Sequence, residues 1–404
     1  MLTFAEARSR LLEAVAAGKL PSERVLLEQA LGRVLAEPLV AAQPMPPFSY
    51  SAMDGYALSS RDLAGPGPFR LEVRGESRTG RPATPLVPGT AAAISTGAEV
   101  PSGADTIVPR ELVERTGETI SLGEPGRPGQ HIRRAGEDLE VGAVALAPGV
   151  RLGPSALGLA ASLDATDLVV ARRPRVTILC TGDELRAPGS AALPGKIPES
   201  VSPPLAALAS LAGAVVRRLP PVGDEREATE RAILAALADT DLLLTVGGVS
   251  VGDHDWVRPA LEAQGVALDF WKVAIKPGKP LAFGRHTRGP AWVLGLPGNP
   301  ASAVITFCLF GLPLLRALQG DRDPLPRLMS LPLAAPFTHK TGRLEFIRVR
   351  LETRNGALSA LPLANQASGA LTSLAWADGL ALVPAEAETL GEGALVEVLR
   401  TQDL

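Results

Sequence analysis

At 404 residues the chain exceeds what one hydrophobic core usually serves, so roughly two to four domains are expected. Apolar residues at 46% against charged ones at 21% exclude a disordered chain, and a net charge of −3 excludes a diffuse basic surface that binds nucleic acid by counterion release. Only Cys180 and Cys308 are present, both in apolar surroundings, which excludes a disulfide framework or a cysteine metal site and suits a reducing cytoplasm.

The first ten residues carry Glu6, Arg8 and Arg10 where an export signal needs an apolar run. Thr3 followed three residues later by Glu6 predicts a capping box, and Leu11, Leu12 and Val15 continue one helical face. From about 69 to 149, brief apolar runs such as Leu71-Glu72-Val73 and Ala91-Ala92-Ala93-Ile94 alternate with Gly and Pro, predicting β-structure with many turns. Between about 174 and 320, strands at 176–180, 214–219, 242–246, 268–273 and 292–296 alternate with helices at 203–212, 225–238 and 258–264, and a long helix follows Pro300. Such alternation implies right-handed crossovers and a mainly parallel sheet covered on both faces. The apolar stretch 303–315 is too short for a bilayer and holds Gly311 and Pro313, so a buried helix is expected and a membrane partner is not. Past Pro324 the helical period disappears. Ile347, Val349 and Leu351 alternate with Arg348 and Arg350, and Asn355-Gly356 supplies a hairpin turn, so a small β-domain closes the chain.

Three polar, glycine-containing segments each follow a predicted strand: Thr181-Gly182-Asp183-Glu184, the run from Gly247 and Gly248 through Ser250 and Asp253 to Asp255, and Gly295-Leu296-Pro297-Gly298-Asn299-Pro300. In open parallel sheets ligands bind at the carboxyl ends of strands, so these loops should line one cleft. Glycines let backbone N–H groups approach an anion, and Asp183, Glu184, Asp253 and Asp255 offer oxygen ligands suited to Mg²⁺. The glycine spacing alone suits an ordinary strand-to-helix turn equally well, and it is neither a Walker A nor a dinucleotide motif.

Lysine usage is more selective. Three of only six lysines, Lys272, Lys276 and Lys279, fall within eight residues, with Pro277-Gly278 favouring a turn that aims two of them inward. Compact ammonium charges suit a small tetrahedral oxyanion, although a solvated turn would also accommodate them. Upstream, Asp54 stands alone among small residues in an Asp-Gly pair that reads as a turn, Thr96-Gly97 precedes Pro101, and Arg133-Arg134 sit beside Glu137-Asp138 as solvated ion pairs would.

Taken in order, Ser51-Ala52-Met53-Asp54-Gly55-Tyr56, Thr181-Gly182-Asp183-Glu184-Leu185, Gly247 through Asp255, Lys276-Pro277-Gly278-Lys279-Pro280, Gly295 through Pro300, and Gly342-Arg343 with Ser368 resemble the molybdopterin molybdenumtransferases, the MoeA type that also occurs as the gephyrin E-domain. The resemblance covers essentially the whole chain. It implies a multidomain α/β plus β fold: a discontinuous N-terminal region over 1–173 with an inserted β-rich domain at about 50–140, a mainly parallel α/β molybdopterin-binding domain over 174–322, and a C-terminal β-domain over 323–404. It implies a cytoplasmic homodimer whose clefts are bordered by both subunits, with transient contact to a molybdopterin adenylyltransferase.

Carried over by position, the molybdate site would be Ser250, Lys276, Lys279, Arg343 and Ser368, two ammoniums, a guanidinium and two hydroxyls around a dianion. Thr96, Asp138, Thr181, Gly182, Asp183, Gly248, Pro297 and Pro300 would contact adenylylated molybdopterin. Glu184, Asp224 and Asp255 would hold Mg²⁺, and the catalytic set would comprise these three with Asp54, Lys272 and Lys276. The sequence departs from the family pattern at three places. Lys196 through Val201 lacks the usual Asp/Asn-Ser-Asn, Ser49-Tyr50 stands for Asp-Asn, and Gly223-Asp224 replaces Asp-Asp. The implied reaction is insertion of molybdenum into adenylylated molybdopterin with Mg²⁺-dependent hydrolysis of the adenylate. Two alternatives remain: a nucleotide pyrophosphatase of the competence-damage type, which would need no molybdate site, and a non-catalytic, gephyrin-like scaffold.

Overall fold

The computed structural model describes every residue except Pro125, 249–255, Asn355 and Leu404. The chain divides into two compact units, the first made of Met1–Glu37, Pro148–Gly153 and Val169–Leu404, the second of Pro38–Ala147 and Pro154–Leu168.

Buried apolar runs build the central sheet of the first unit. Its strand order is Val215–Arg218, Arg175–Cys180, Leu242–Val246, Trp292–Leu296, Pro280–His286, Val266–Lys272. The first four run parallel, with Val176, Leu242 and Trp292 in one register row. Side chains alternate across the sheet. Leu242 and Leu244 therefore pack with the Phe4–Ala16, Ser202–Leu211 and Pro300–Leu318 helices, while Leu243 packs with the Arg226–Leu237 and Val257–Ala263 helices on the opposite face. The last two strands are antiparallel, and Pro280–His286 is absent from the sequence expectation. Pro277, Gly278 and Pro280 surround its start with turn signals, which hide the buried run Leu281, Ala282, Phe283 that follows.

The capping box forms as expected. Thr3 Oγ1 accepts from the Glu6 N–H at 3.2 Å, and Glu6 Oε2 accepts from the Thr3 N–H at 2.8 Å. The expected buried helix is present but longer than the 303–315 stretch. It spans Pro300–Leu318, 19 residues of mean hydropathy 1.8, long enough by composition to cross a bilayer, yet 89% of its apolar window is buried in the protein. A π-turn over Phe307–Gly311 accommodates the approach to Pro313, and Gly311 is required there because a Cβ would fall within the Phe307 ring.

The C-terminal strands form a second sheet in the order Ile275–Lys276, Leu344–Arg354, Gly379–Val383, Leu395–Arg400, Met329–Pro332, with Ala357–Pro362 also paired to Leu344–Arg354. Arg354 pairs with Ala357 across the expected hairpin, whose Asn355 lies outside the described residues. Ile347 and Val349 are buried as the alternation predicts, but Arg348 is not on a solvated face. It is fully buried and donates from Nη2 to the carbonyls of Asn365 and Ala367, both at 3.1 Å.

In the second unit, a six-stranded sheet runs Thr106–Pro109, Gly55–Leu58, Thr90–Ile94, Phe69–Ser77, Thr119–Leu122, Val113–Thr116, with Leu58, Leu71, Ala91, Ile120 and Leu122 in its core. All pairings are antiparallel except that of Phe69–Ser77 with Thr90–Ile94.

Phe346 ties the first unit together. Its ring packs edge-on against Phe4 at 5.2 Å, and Phe4 packs in the same way on Phe310 at 5.4 Å. Phe346→Ala is therefore expected to cost about 3–5 kcal/mol of unfolding free energy, read as a lowered midpoint in denaturant titration.

Candidate functional site

The carboxyl ends of the parallel strands open into a pocket of about 200 Å³ lined by Thr181, Gly182, Glu184, Asp224, Gly247, Gly248 and Gly298, with Cys180, Glu199 and Val201 among its deeper residues. Backbone hydrogen bonds between neighbouring loops hold its floor. The Thr181 N–H donates to Val246 O at 2.9 Å, that of Gly182 to Val222 O at 2.9 Å, and that of Gly247 to Leu296 O at 3.2 Å. Gly247 has φ +85°, and a Cβ there would lie 2.6 Å from the Thr181 carbonyl, so only glycine permits this closure. Residues of all three predicted loops thus meet, while Ser250, Asp253 and Asp255 lie outside the described residues. Pro297 is buried beside the pocket's Gly298, and Pro300 starts the long helix.

Besides the buried Glu199, the acidic residues Glu184 and Asp224 line this pocket. Glu184 folds back over Gly182, where a Cβ would collide with it. Asp183 and Asp224 fix each other. The Asp224 N–H donates to Asp183 Oδ1 at 3.0 Å and the Asp183 N–H to Asp224 Oδ2 at 3.3 Å. Asp183 thereby serves the loop, and Gly223 explains one departure from the family pattern, since a Cβ there would lie 2.7 Å from Asp183 Oδ1. Among the described residues no group of three His, Cys, Asp or Glu side chains is placed to hold a metal.

The Lys196–Val201 departure also has a local cause. Glu199, which the sequence reading passed over, is buried, and its carboxylate accepts from the N–H groups of Val201 at 2.6 Å and Ser202 at 2.7 Å and from the Ser202 hydroxyl at 2.5 Å. These are unsatisfied donors at the start of the Ser202–Leu211 helix, so Glu199 performs the capping role. Burial alone would raise its carboxyl, but the bonds from the Ser202 hydroxyl and N–H and the Val201 N–H prevail and hold it below the ordinary glutamate value. Cys180 lies 3.5 Å from this carboxylate, and burial, then the neighbouring Glu199 charge, push its thiol far above the ordinary range.

A second set of residues gathers at the start of the long helix. The Lys276–Lys279 turn, with a cis Lys276–Pro277 peptide, packs on that helix so closely that a Cβ at Gly278 would strike Thr306 Oγ1. Ile275–Lys276 pairs in parallel with Leu344 and Glu345, and Arg343 Nη1 donates to Ile275 O at 3.4 Å. The Ser302 N–H donates to Ser368 O at 3.3 Å. Lys276, Arg343 and Ser368 are partly buried around this helix and Lys279 is exposed, while Lys272 is exposed at the end of its strand, opposite Pro280. Three residues of chain separate Ser302 from the pocket residue Gly298.

The second unit holds Asp54, Thr96 and Asp138. The Thr96 N–H donates to Asp54 Oδ1 at 2.7 Å, the largest cause of an Asp54 carboxyl held below its ordinary value. Asp138 is exposed, with its N–H on Met45 O at 3.0 Å.

Residues 2–163 match the MoeA N-terminal region (domain I and II), 177–317 a probable molybdopterin binding domain, and 330–400 the MoeA C-terminal region (domain IV). The chain belongs to the molybdopterin molybdenumtransferase (MoeA) family. A molybdopterin molybdenumtransferase 2 of Mycobacterium tuberculosis is 38% identical over 384 residues, 93% of this chain and 94% of its own. A molybdopterin molybdenumtransferase of Haemophilus influenzae is 38% identical over 86% of this chain and 85% of its own. The crystal structure of a molybdopterin biosynthesis moeA protein from Pyrococcus horikoshii OT3 matches with a TM-score of 0.85 at 28% identity, covering 98% of this chain and 99% of that one. This MoeA-family chain is accordingly an enzyme, a transferase of molybdenum-cofactor biosynthesis.

Because the Glu199 carboxyl is lowered on folding, its contribution is present above the ordinary glutamate value and is lost as pH falls through the lowered one. Glu199→Gln should cost about 1–3 kcal/mol at pH 7. The deficit against the native chain should shrink as denaturant titrations are repeated at pH values below about 4.3. A gap that does not change with pH would remove the charge from the cap.

Proposed function

We propose that this enzyme inserts molybdenum, supplied as molybdate, into adenylylated molybdopterin and releases AMP. The observation that supports the reading is a glycine-walled pocket bearing Glu184 and Asp224 that reaches Gly298, just before a helix whose Ser302 bonds Ser368 and whose Thr306 packs on the Lys276–Lys279 turn, to which Arg343 is tied through the Ile275 carbonyl.

Backbone N–H groups of a glycine-rich wall suit the pyrophosphate of a nucleotide-capped pterin. Lys276, Lys279 and Arg343 supply positive charge for a tetrahedral dianion and orient it beside the incoming sulfurs, so that two Mo–S bonds form while one oxo ligand leaves as water with the two protons of the dithiol. No side chain is required as a covalent nucleophile. Mg²⁺ suits the donor set, because this cation is commonly held by one or two carboxylates together with waters and substrate phosphates; Glu184 and Asp224 line the pocket, and Asp255 is the further candidate. When bound, it supplies charge neutralisation at the phosphoanhydride. The same reading includes a cytoplasmic homodimer and transient contact with a molybdopterin adenylyltransferase, which rest on the family resemblance.

Purified protein incubated with adenylylated molybdopterin, Mg²⁺ and molybdate should release AMP and yield cofactor-bound molybdenum. AMP release with no molybdenum transfer, unaffected by molybdate or tungstate, would instead favour a pyrophosphatase, and no AMP release at all a scaffold. Lys279→Ala should weaken molybdate binding about ten-fold or more while the fold survives, since it removes a charged donor. Unchanged affinity in equilibrium dialysis would remove Lys279 from the anion site. Asp255→Asn should slow AMP release, and normal Mg²⁺-dependent turnover would exclude Asp255.

A further inference from the structure

We infer that Glu345 is a positioning residue for Lys276, itself seated by His339; the inference rests on the anion site proposed above. Lys276 and Glu345 are partners in the parallel ladder, and ladder partners share a face of the sheet. Register alone therefore brings ammonium to carboxylate, and Lys276 Nζ lies 2.9 Å from Glu345 Oε1. The other oxygen, Oε2, lies 3.2 Å from His339 Nδ1. The exposures are lopsided: the side chains of Glu345 and His339 are 3% and 1% exposed, and that of Lys276 is 43%. The acid and the imidazole sit behind, and the ammonium reaches outward.

Stability does not account for this arrangement. Removing a carboxylate from water is costly, and a buried ion pair seldom outperforms well-packed apolar side chains. Here Glu345 Oε2 and both ring nitrogens of His339 are buried without a properly aligned hydrogen bond, a further cost. Ile347, two residues on, and Val383, the ladder partner of Glu345, share its face of the sheet and are fully buried and apolar, so an apolar side chain at 345 would join an existing core. What the carboxylate adds is control over Lys276. A lysine ammonium has three N–H donors on a flexible stem. Glu345 takes one and fixes the stem, leaving two for an oxyanion. Arg343, just before the Leu344–Arg354 strand, donates to the carbonyl of Ile275, the residue next to Lys276, which ties a guanidinium to the same two-residue strand. Glu345 does not touch the anion; it acts through Lys276.

The test uses the full chain with molybdate as the probe, binding being read by equilibrium dialysis and AMP release being followed separately without molybdate. Glu345→Gln keeps an acceptor oxygen for Lys276 and an amide for His339, and should bind molybdate within about three-fold of the native chain. Glu345→Met keeps the volume and removes the acceptor, and should bind about ten-fold more weakly or worse while AMP release is unchanged. A role in fold integrity alone would lower both readouts together. Should Glu345→Met not fold, His339→Asn, which keeps the ion pair but releases its support, should weaken molybdate binding about three-fold. Native-like molybdate binding by Glu345→Met or by His339→Asn would overturn the inference, as would Glu345→Gln binding as weakly as Glu345→Met. Lys276→Ala separates the two levels. If it also binds molybdate normally, the anion site is wrongly assigned; if it alone is impaired, the site stands and Glu345 is idle.

Discussion

The two-residue parallel pairing of Ile275–Lys276 with Leu344 and Glu345 is the constraint on which the candidate anion site depends. Side chains in a ladder alternate between faces, so a slip of one residue would turn Glu345 away from Lys276. Little in the ladder itself resists such a slip, because it is short. Resistance comes from its surroundings: Ile275 and Phe346 are locked in the core, and the longer pairing of Leu344–Arg354 with Gly379–Val383 fixes the strand from its other edge.

The same strand organises a third component. Arg348 is buried so that its guanidinium can bind the carbonyls of Asn365 and Ala367, and Gln366 exchanges hydrogen bonds with the Arg348 backbone, its Oε1 accepting at 2.9 Å and its Nε2 donating at 2.9 Å. That loop delivers Ser368 to Ser302. Arg343 just before this strand, and Glu345 and Arg348 on it, thus have different targets: the Ile275 carbonyl, the Lys276 ammonium and the loop carrying Ser368. A charged side chain buried among carbonyls is an expensive way to fix a loop, but it fixes it in one conformation.

Much of this was legible in the sequence where local chemistry decides. Thr3 and Glu6 specify a capping box by themselves, and the short, mostly apolar run 242–246 reads as a strand buried on both faces, as it is. The glycine loops were legible through position, because strand ends in a parallel sheet are where ligands bind. What stayed hidden depends on partners far along the chain. Arg348 read as a solvent-facing residue because its alternation with Ile347 and Val349 says nothing of carbonyls almost twenty residues later. Glu345 is separated from Lys276 by almost seventy residues, and no spacing rule connects them. Glu199 looked like a mere departure from a motif until its cap became visible. The Pro280–His286 strand was obscured by the turn residues that introduce it. The order of the family motifs supplied the assignment of Lys276, Arg343 and Ser368 to one site, which periodicity could not.

Cys180 presents a sulfur to a pocket proposed to receive a substrate carrying two sulfurs of its own. Burial and the Glu199 carboxylate keep that thiol protonated, and Cys308, enclosed in the core, is likewise pushed up to about 12. A protonated thiol is a poor nucleophile and a poor metal ligand. Among the described residues the wall would therefore offer no thiolate to the proposed dithiolene guest: Cys180 would neither form a mixed disulfide with the pterin nor compete with it for molybdenum.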